Sequence, residues 1–244
     1  MLAIIGGTGL TQLANLDVSR RQVVRTPYGE PSGPLTFGTL RGVPVIFLAR
    51  HGYGHTVPPH QVNYRANLWA LKEQGVGEVV SVASVGGIRD DLGTGKLVVP
   101  HQIIDYTWGR MSTFFENEAP VKHIDFTEPY AGNLRNKLLA AAKACGEAAV
   151  DGAVYAATQG PRLETAAEID RFERDGADVV GMTGMPEAAL ARELELEYAA
   201  IAVVVNHAAG RAESAHGVEL GKIEEVLHEA MRRVRRIIEA LVAA

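Results

Sequence analysis

The residues in this sequence with chemistry to offer are glycine turns, threonines and one Arg-His pair, each placed where an apolar run stops. Ile4-Ile5-Gly6-Gly7-Thr8-Gly9 reads as a strand entering a glycine turn, whose freed backbone amides and threonine hydroxyl could surround an anion. A second apolar run ends in Arg50-His51-Gly52-Tyr53-Gly54-His55, which supplies a guanidinium and two imidazoles. The guanidinium fork matches two oxygens of one phosphate. A third run ends in Ser84-Val85-Gly86-Gly87, and a fourth in Gly181-Met182-Thr183-Gly184 ahead of Pro186. Any one of these reads equally well as a tight turn or a helix cap. Four of them at four strand ends favour a phosphate pocket.

Several other chemistries lack the residues they need. The first glycine turn has no spaced third glycine of a dinucleotide site. His51 and His55 have no Cys or carboxylate at ligand spacing, so no metal is expected, and Ser84 lacks a hydrolase elbow. A net charge of −5 gives no pull on nucleic acid phosphates, and Arg232, Arg233, Arg235 and Arg236 are too isolated to make a basic face. Cys145 is the single cysteine and sits among alanines, which suits packing and leaves no internal disulfide. No signal-like or long apolar segment precedes the first glycines, so a cytoplasmic protein without membrane contact is expected.

These groups need a framework that brings four strand ends together. Continuous β-branched runs at 2–5, 43–48, 79–83, 97–99, 177–180 and 198–205 suit strands covered on both faces. Helical spacing marks 63–74, 134–145, 186–196 and 218–242. The alternation predicts one α/β domain over 1–244, a three-layer α/β/α arrangement around a mostly parallel mixed sheet. The stretch 106–130 holds Trp108, Phe114, Phe115 and Phe126 without periodicity, as expected of a functional loop or one covered by a neighbouring subunit.

Gly6-Gly7-Thr8-Gly9, Arg50-His51-Gly52, Val62-Asn63-Tyr64, Gly160-Pro161-Arg162, Gly181-Met182-Thr183 and Pro186-Glu187, in this order, resemble the trimeric purine nucleoside and methylthioadenosine phosphorylases. The resemblance runs from Ile4 to the last helix. It implies a phosphate site of Gly7, Thr8, Arg50, His51, the Ser84 backbone and Thr183, with Met182 on the ribose hydroxyls. It implies a base site of Val85, Gly86, Leu163, Glu164 and Asn206, the last two being the catalytic pair. It further implies that no metal or organic cofactor is needed, inorganic phosphate being a co-substrate. The expected assembly is a homotrimer, or a hexamer of two, in which the loop with His123 and Phe126 reaches a neighbour's sugar pocket.

Two positions bear on the choice of base. Methylthioadenosine enzymes carry aspartates where this chain has Asn206 and Ala208. A carboxylate suits the 6-amino group of adenine and repels a 6-oxygen, whereas an amide donates to the 6-oxygen and accepts from a protonating N7. Glu164 stands where those enzymes show serine, and a 6-oxopurine has a hydrogen on N1 for a carboxylate to accept. At the sugar end, Leu220 and Ile223 fall where methylthio-specific enzymes are apolar; a shifted alignment would instead bring His216 to the 5'-hydroxyl. An apolar pocket favours a methylthio group through buried surface, at roughly 25 cal/mol per Å². The expected nucleoside is therefore 5'-methylthioinosine. The alternatives are 5'-methylthioadenosine, ordinary 6-oxopurine nucleosides, and a non-catalytic nucleotide-binding module.

Overall fold

The computed structural model describes residues 1–244 apart from Asn117 and the side chain of Lys222. In chain order the strands are β1 (Leu2–Gly6), β2 (Asp17–Gln22), β3 (Leu35–Leu40), β4 (Val43–Ala49), β5 (Glu78–Gly87), β6 (Leu97–Val99), β7 (Gln102–Asp105), β8 (Ala149–Asp151), β9 (Val154–Ala157), β10 (Val179–Gly181) and β11 (Glu197–His207). The helices are α1 (Tyr64–Glu73), α2 (Gly132–Ala144), α3 (Ala166–Arg174), α4 (Glu187–Glu193) and α5 (Leu220–Ala243).

Why the apolar runs are continuous is visible in β1. Leu2 and Ile4 pack with Leu227, Met231 and Val234 of α5 and with Leu134 and Leu138 of α2. Ala3 and Ile5 point the other way, into a core shared with Leu68 and Leu71 of α1 and Leu190 of α4. Alternate residues therefore enter opposite cores, as a strand between two helical layers requires. A smaller cluster seats Ile169 and Phe172 of α3 on Ala156 and Val180. The expected three layers are present, and the eleven strands among the described residues belong to one mixed sheet.

The sheet branches at β5. It pairs parallel with β1 and β11, and its last two residues pair antiparallel with β10. Because β4 is parallel to β1 as well, the carboxyl ends of β1, β4, β5 and β11 lie on one edge, where open α/β sheets bind ligands. The antiparallel register sets Val180 opposite Gly86, so the chain beyond β10 runs back past Val85 and Ser84. Along β11 the ladder with β5 slips: Val204 faces Val85 and Asn206 faces Gly86, leaving Val205 as an extra residue. Such a bulge breaks the two-residue alternation and re-aims the side chains that follow.

Some elements differ from expectation. The β2–β3 hairpin extends the sheet beyond β4, and every residue of β2 is exposed, so its sequence DVSRRQ carries no apolar alternation to read. β8 and β9 are three and four residues long and were hidden in an alanine-rich stretch. α4 is shorter than 186–196, spanning Glu187–Glu193. α5 starts at Leu220 and not at Val218, since Glu219 is extended with φ −83° and ψ 95°. The stretch 106–130 holds neither helix nor strand among its described residues, as its sequence predicts. Among the described residues no helix is long and apolar enough to cross a membrane.

Candidate active site

The four strand ends enclose a cavity of about 500 Å³. Gly7, Thr8, Arg50, His51, Ser84 and Thr183 line one part of it; Val85, Gly86, Leu163, Glu164 and Asn206 line another, with Met182 and Ile223 also on the wall. Two of the expected residues stand outside. Leu220 is 65% exposed at the first helical position, and Val218 completes the wall from the extended segment before α5. His123 is exposed and does not reach this chain's own cavity.

Arg50 has no exposed surface. Its Nε donates to Glu187 Oε2 at 2.7 Å and its Nη2 to Glu187 Oε1 at 2.9 Å, while Nη2 also reaches Ser81 Oγ at 2.6 Å and Nη1 the Val82 carbonyl at 3.0 Å. A guanidinium has five N–H donors, so these bonds leave one Nη1 hydrogen for a ligand. Burial by itself would lower the pKa of Arg50, but the charge and hydrogen bonds of Glu187 outweigh it and hold the pKa above its ordinary value. Glu187 Oε1 is further fixed by Tyr198 Oη at 2.8 Å and Ser81 Oγ at 2.9 Å, both donating. Glycine at position 7 makes room for this group: a Cβ there would lie 2.9 Å from Arg50 Nη1 and 2.5 Å from the Val82 oxygen.

His51 donates from Nδ1 to the Val57 carbonyl at 2.8 Å, which fixes the tautomer because a carbonyl only accepts. Burial, with the Arg50 charge beside it, lowers its pKa from 6.5 to about 4, so the imidazole is neutral at pH 7. Around Arg50 and His51 the cavity is therefore polar without a surplus of positive charge. Thr8 Oγ1 lies 3.2 Å from His55 Nε2, a second imidazole that meets the His51 ring edge to face at 4.9 Å.

In the other part, the amide of Asn206 donates to the His207 carbonyl at 2.6 Å, and Glu164 Oε1 accepts from Thr158 Oγ1 at 2.6 Å. Met182 is turned toward the cavity over Gly160, where φ is +59° and a Cβ would sit 2.4 Å from the Met182 sulfur. Only glycine suits that position.

Sequence reasoning missed the partners that hold these residues. Arg110, from the irregular stretch, donates to the carbonyls of Met182 at 2.9 Å, Met185 at 2.5 Å, Thr158 at 3.1 Å and Gln159 at 2.8 Å. One guanidinium thus ties together the segments bearing Met182 and Thr183 and those bearing Glu164. Glu187 was noted only within the Pro186-Glu187 motif, without its role toward Arg50, and Thr158 was silent, since an acidic residue after a proline and a threonine after a strand have ordinary local readings. Among the described residues no cluster of three His, Cys, Asp or Glu side chains could hold a metal ion.

A buried Arg donor between glycine turns shares one cleft at a sheet edge with an amide and a carboxylate, so the cleft of this α/β protein offers N–H donors at one end and a donor and an acceptor for a polar ligand at the other. Over residues 1–243 the chain matches the model of the phosphorylase superfamily. It is 54% identical over 243 residues to a Pseudomonas syringae pv. tomato protein named "Probable S-methyl-5'-thioinosine phosphorylase", covering 99% of this chain and 98% of that one. It is 42% identical over 249 residues to the 6-oxopurine nucleoside phosphorylase of Pyrococcus furiosus, covering 100% and 91%. A solved methylthioadenosine phosphorylase from Schistosoma mansoni, in complex with adenine, superposes with a TM-score of 0.94 at 33% identity over 99% of this chain and 90% of that one. The chain belongs to the phosphorylase superfamily and is a pentosyltransferase of the nucleoside phosphorylase type.

Two outcomes follow from the charges. Glu187→Gln leaves the Arg50 charge buried without its counter-ion, which costs about 3–5 kcal/mol. Urea unfolding should show this as a lower midpoint, and a loss below about 1 kcal/mol would count against the pairing. His51 is held neutral in the fold with a pKa of about 4 against 6.5 when free. The unfolded chain therefore binds more protons in that interval, so this contribution is complete above pH 6.5 and lost as pH falls toward 4. Replacing His51 with Gln should flatten the melting temperature between pH 6.5 and 4; an unchanged slope would remove His51 as its source.

Proposed function

We propose that this enzyme splits 5'-methylthioinosine with inorganic phosphate, giving hypoxanthine and 5-methylthioribose 1-phosphate. The observation that carries the reading is the presence of Glu164 and Asn206 in the cavity that also holds the Arg50 donor and the apolar Val218 and Ile223. Phosphate at Gly7, Thr8, Arg50, His51, Ser84 and Thr183 attacks the anomeric carbon. A carbon–oxygen bond forms as the bond to the purine N9 breaks, and the electron pair passes to the purine ring, where N7 takes up a proton. Asn206 accepts from that N7–H and donates to the 6-oxygen; Glu164 accepts from N1–H. Met182 packs on the ribose. No metal or organic cofactor enters these steps.

Asn206 now bonds to the His207 carbonyl through one amide hydrogen, which leaves its second hydrogen and its oxygen for the base. The 5' wall is apolar through Val218 and Ile223, and the correction at Leu220 leaves that character unchanged. The Pseudomonas relative's name agrees with both ends of this substrate, the Pyrococcus name with its base alone, and the Schistosoma structure with its sugar. Ordinary 6-oxopurine nucleosides are the second reading.

Base release measured with and without phosphate, on methylthioinosine, inosine and methylthioadenosine, tests the proposal. The highest kcat/KM is expected for methylthioinosine; a preference for methylthioadenosine would overturn the base assignment, and a preference for inosine the sugar assignment. Asn206→Asp should move the preference toward the 6-aminopurine by about tenfold or more, since a charge-assisted hydrogen bond is worth roughly 1.5–3 kcal/mol.

A homotrimer, singly or doubled, accounts for the exposed side chains of Trp108, Met111 and Val121 on the irregular stretch and for His123 lying away from its own cavity. Sedimentation should give a particle of three or six chains, and a monomer at working concentration would refute it. A cytoplasmic location accords with this chemistry.

A further inference from the structure

Glu164 reads the base only if an oxygen is held toward it and free to accept. The hydroxyl that contacts the other oxygen belongs to Thr158, one residue past β9 and 7% exposed. Thr158 Oγ1 lies 2.6 Å from Glu164 Oε1 and 3.2 Å from the Gly181 carbonyl. That carbonyl already accepts the Thr158 amide at 2.8 Å, and a hydroxyl has one proton to give. The nearer acceptor takes it. Oε1 is thereby committed, and Oε2 remains to accept from a ligand.

Thr158 lines a small depression on the far side of Glu164 and does not line the main cavity. It therefore acts through Glu164. Its backbone is fixed independently of any ligand, by its amide bond to Gly181 and by Arg110 Nη2 at 3.1 Å from its carbonyl.

We propose that Thr158 is the positioning residue that makes Glu164 selective: by donating to Oε1 it holds the carboxylate as an oriented acceptor for the N1–H of a 6-oxopurine. This rests on the reading of Glu164 as a base contact. Without the hydroxyl, Oε1 lacks its donor, and the carboxylate is no longer held in one orientation toward the N1–H of the base.

Thr158→Val keeps the shape and removes the donor; Thr158→Ser keeps the donor. Loss of a hydrogen bond to a charged group should lower the kcat/KM ratio of methylthioinosine to methylthioadenosine about tenfold in the Val variant. The KM for phosphate should be unchanged. The Ser variant should restore the ratio. A general packing defect would lower both nucleosides together and leave their ratio unchanged, and that result overturns the proposal. Glu164→Gln separates this from the underlying reading. If Glu164→Gln lowers the ratio and Thr158→Val does not, Thr158 has no such role while Glu164 keeps its own. If Glu164→Gln leaves the ratio unchanged, Glu164 does not read the base, and the proposal for Thr158 falls with it whatever the Val variant does.

Discussion

A guanidinium without exposed surface persists only beside a fixed counter-charge, and Glu187 supplies it to Arg50 across 137 residues of sequence. The pair draws on the end of β4, the first residue of α4, Ser81 and Val82 in β5, and Tyr198 in β11. The part of the cavity lined by Arg50 and His51 is thus a property of the assembled sheet and one helix, and not of the glycine turns alone. It also sets the site's electrostatics. With Arg50 compensated and His51 neutral, the cavity offers directed N–H and O–H groups in place of free positive charge, a preorganised kind of polar environment.

How much of this could be read in advance depends on how local the cause was. Gly7, Thr8, Ser84 and Thr183 declare themselves because turn chemistry is written within a few residues, and parallel strands bring their carboxyl ends together. The buried strands were equally plain, since burial on both faces removes polar residues from them. The β2 strand was unreadable for the opposite reason: solvent on every residue imposes no pattern. The pairing of Glu187 with Arg50, and Thr158 and Arg110 altogether, escaped because their meaning lies in distant partners. Leu220 was misplaced by the extension at Glu219, a backbone detail that helical spacing does not encode.

The irregular stretch that carries Arg110 looked empty of structure and proves to be a fastening. Four carbonyls that no strand uses find a single cation there, which answers the requirement that buried backbone acceptors be paired. Those carbonyls lie on the segments that bring Met182, Thr183 and Glu164 to the cavity.

The extra residue at Val205 lets two successive side chains of β11, Val205 and Asn206, border the cavity. In an uninterrupted strand the neighbour of a ligand-facing residue belongs to the opposite layer, so a change in one disturbs the packing of the other. Here Asn206 is released from that coupling. Amide and carboxylate can be exchanged at this position with little effect on the core, so the chemistry that the cavity presents there can change while the scaffold stays as it is.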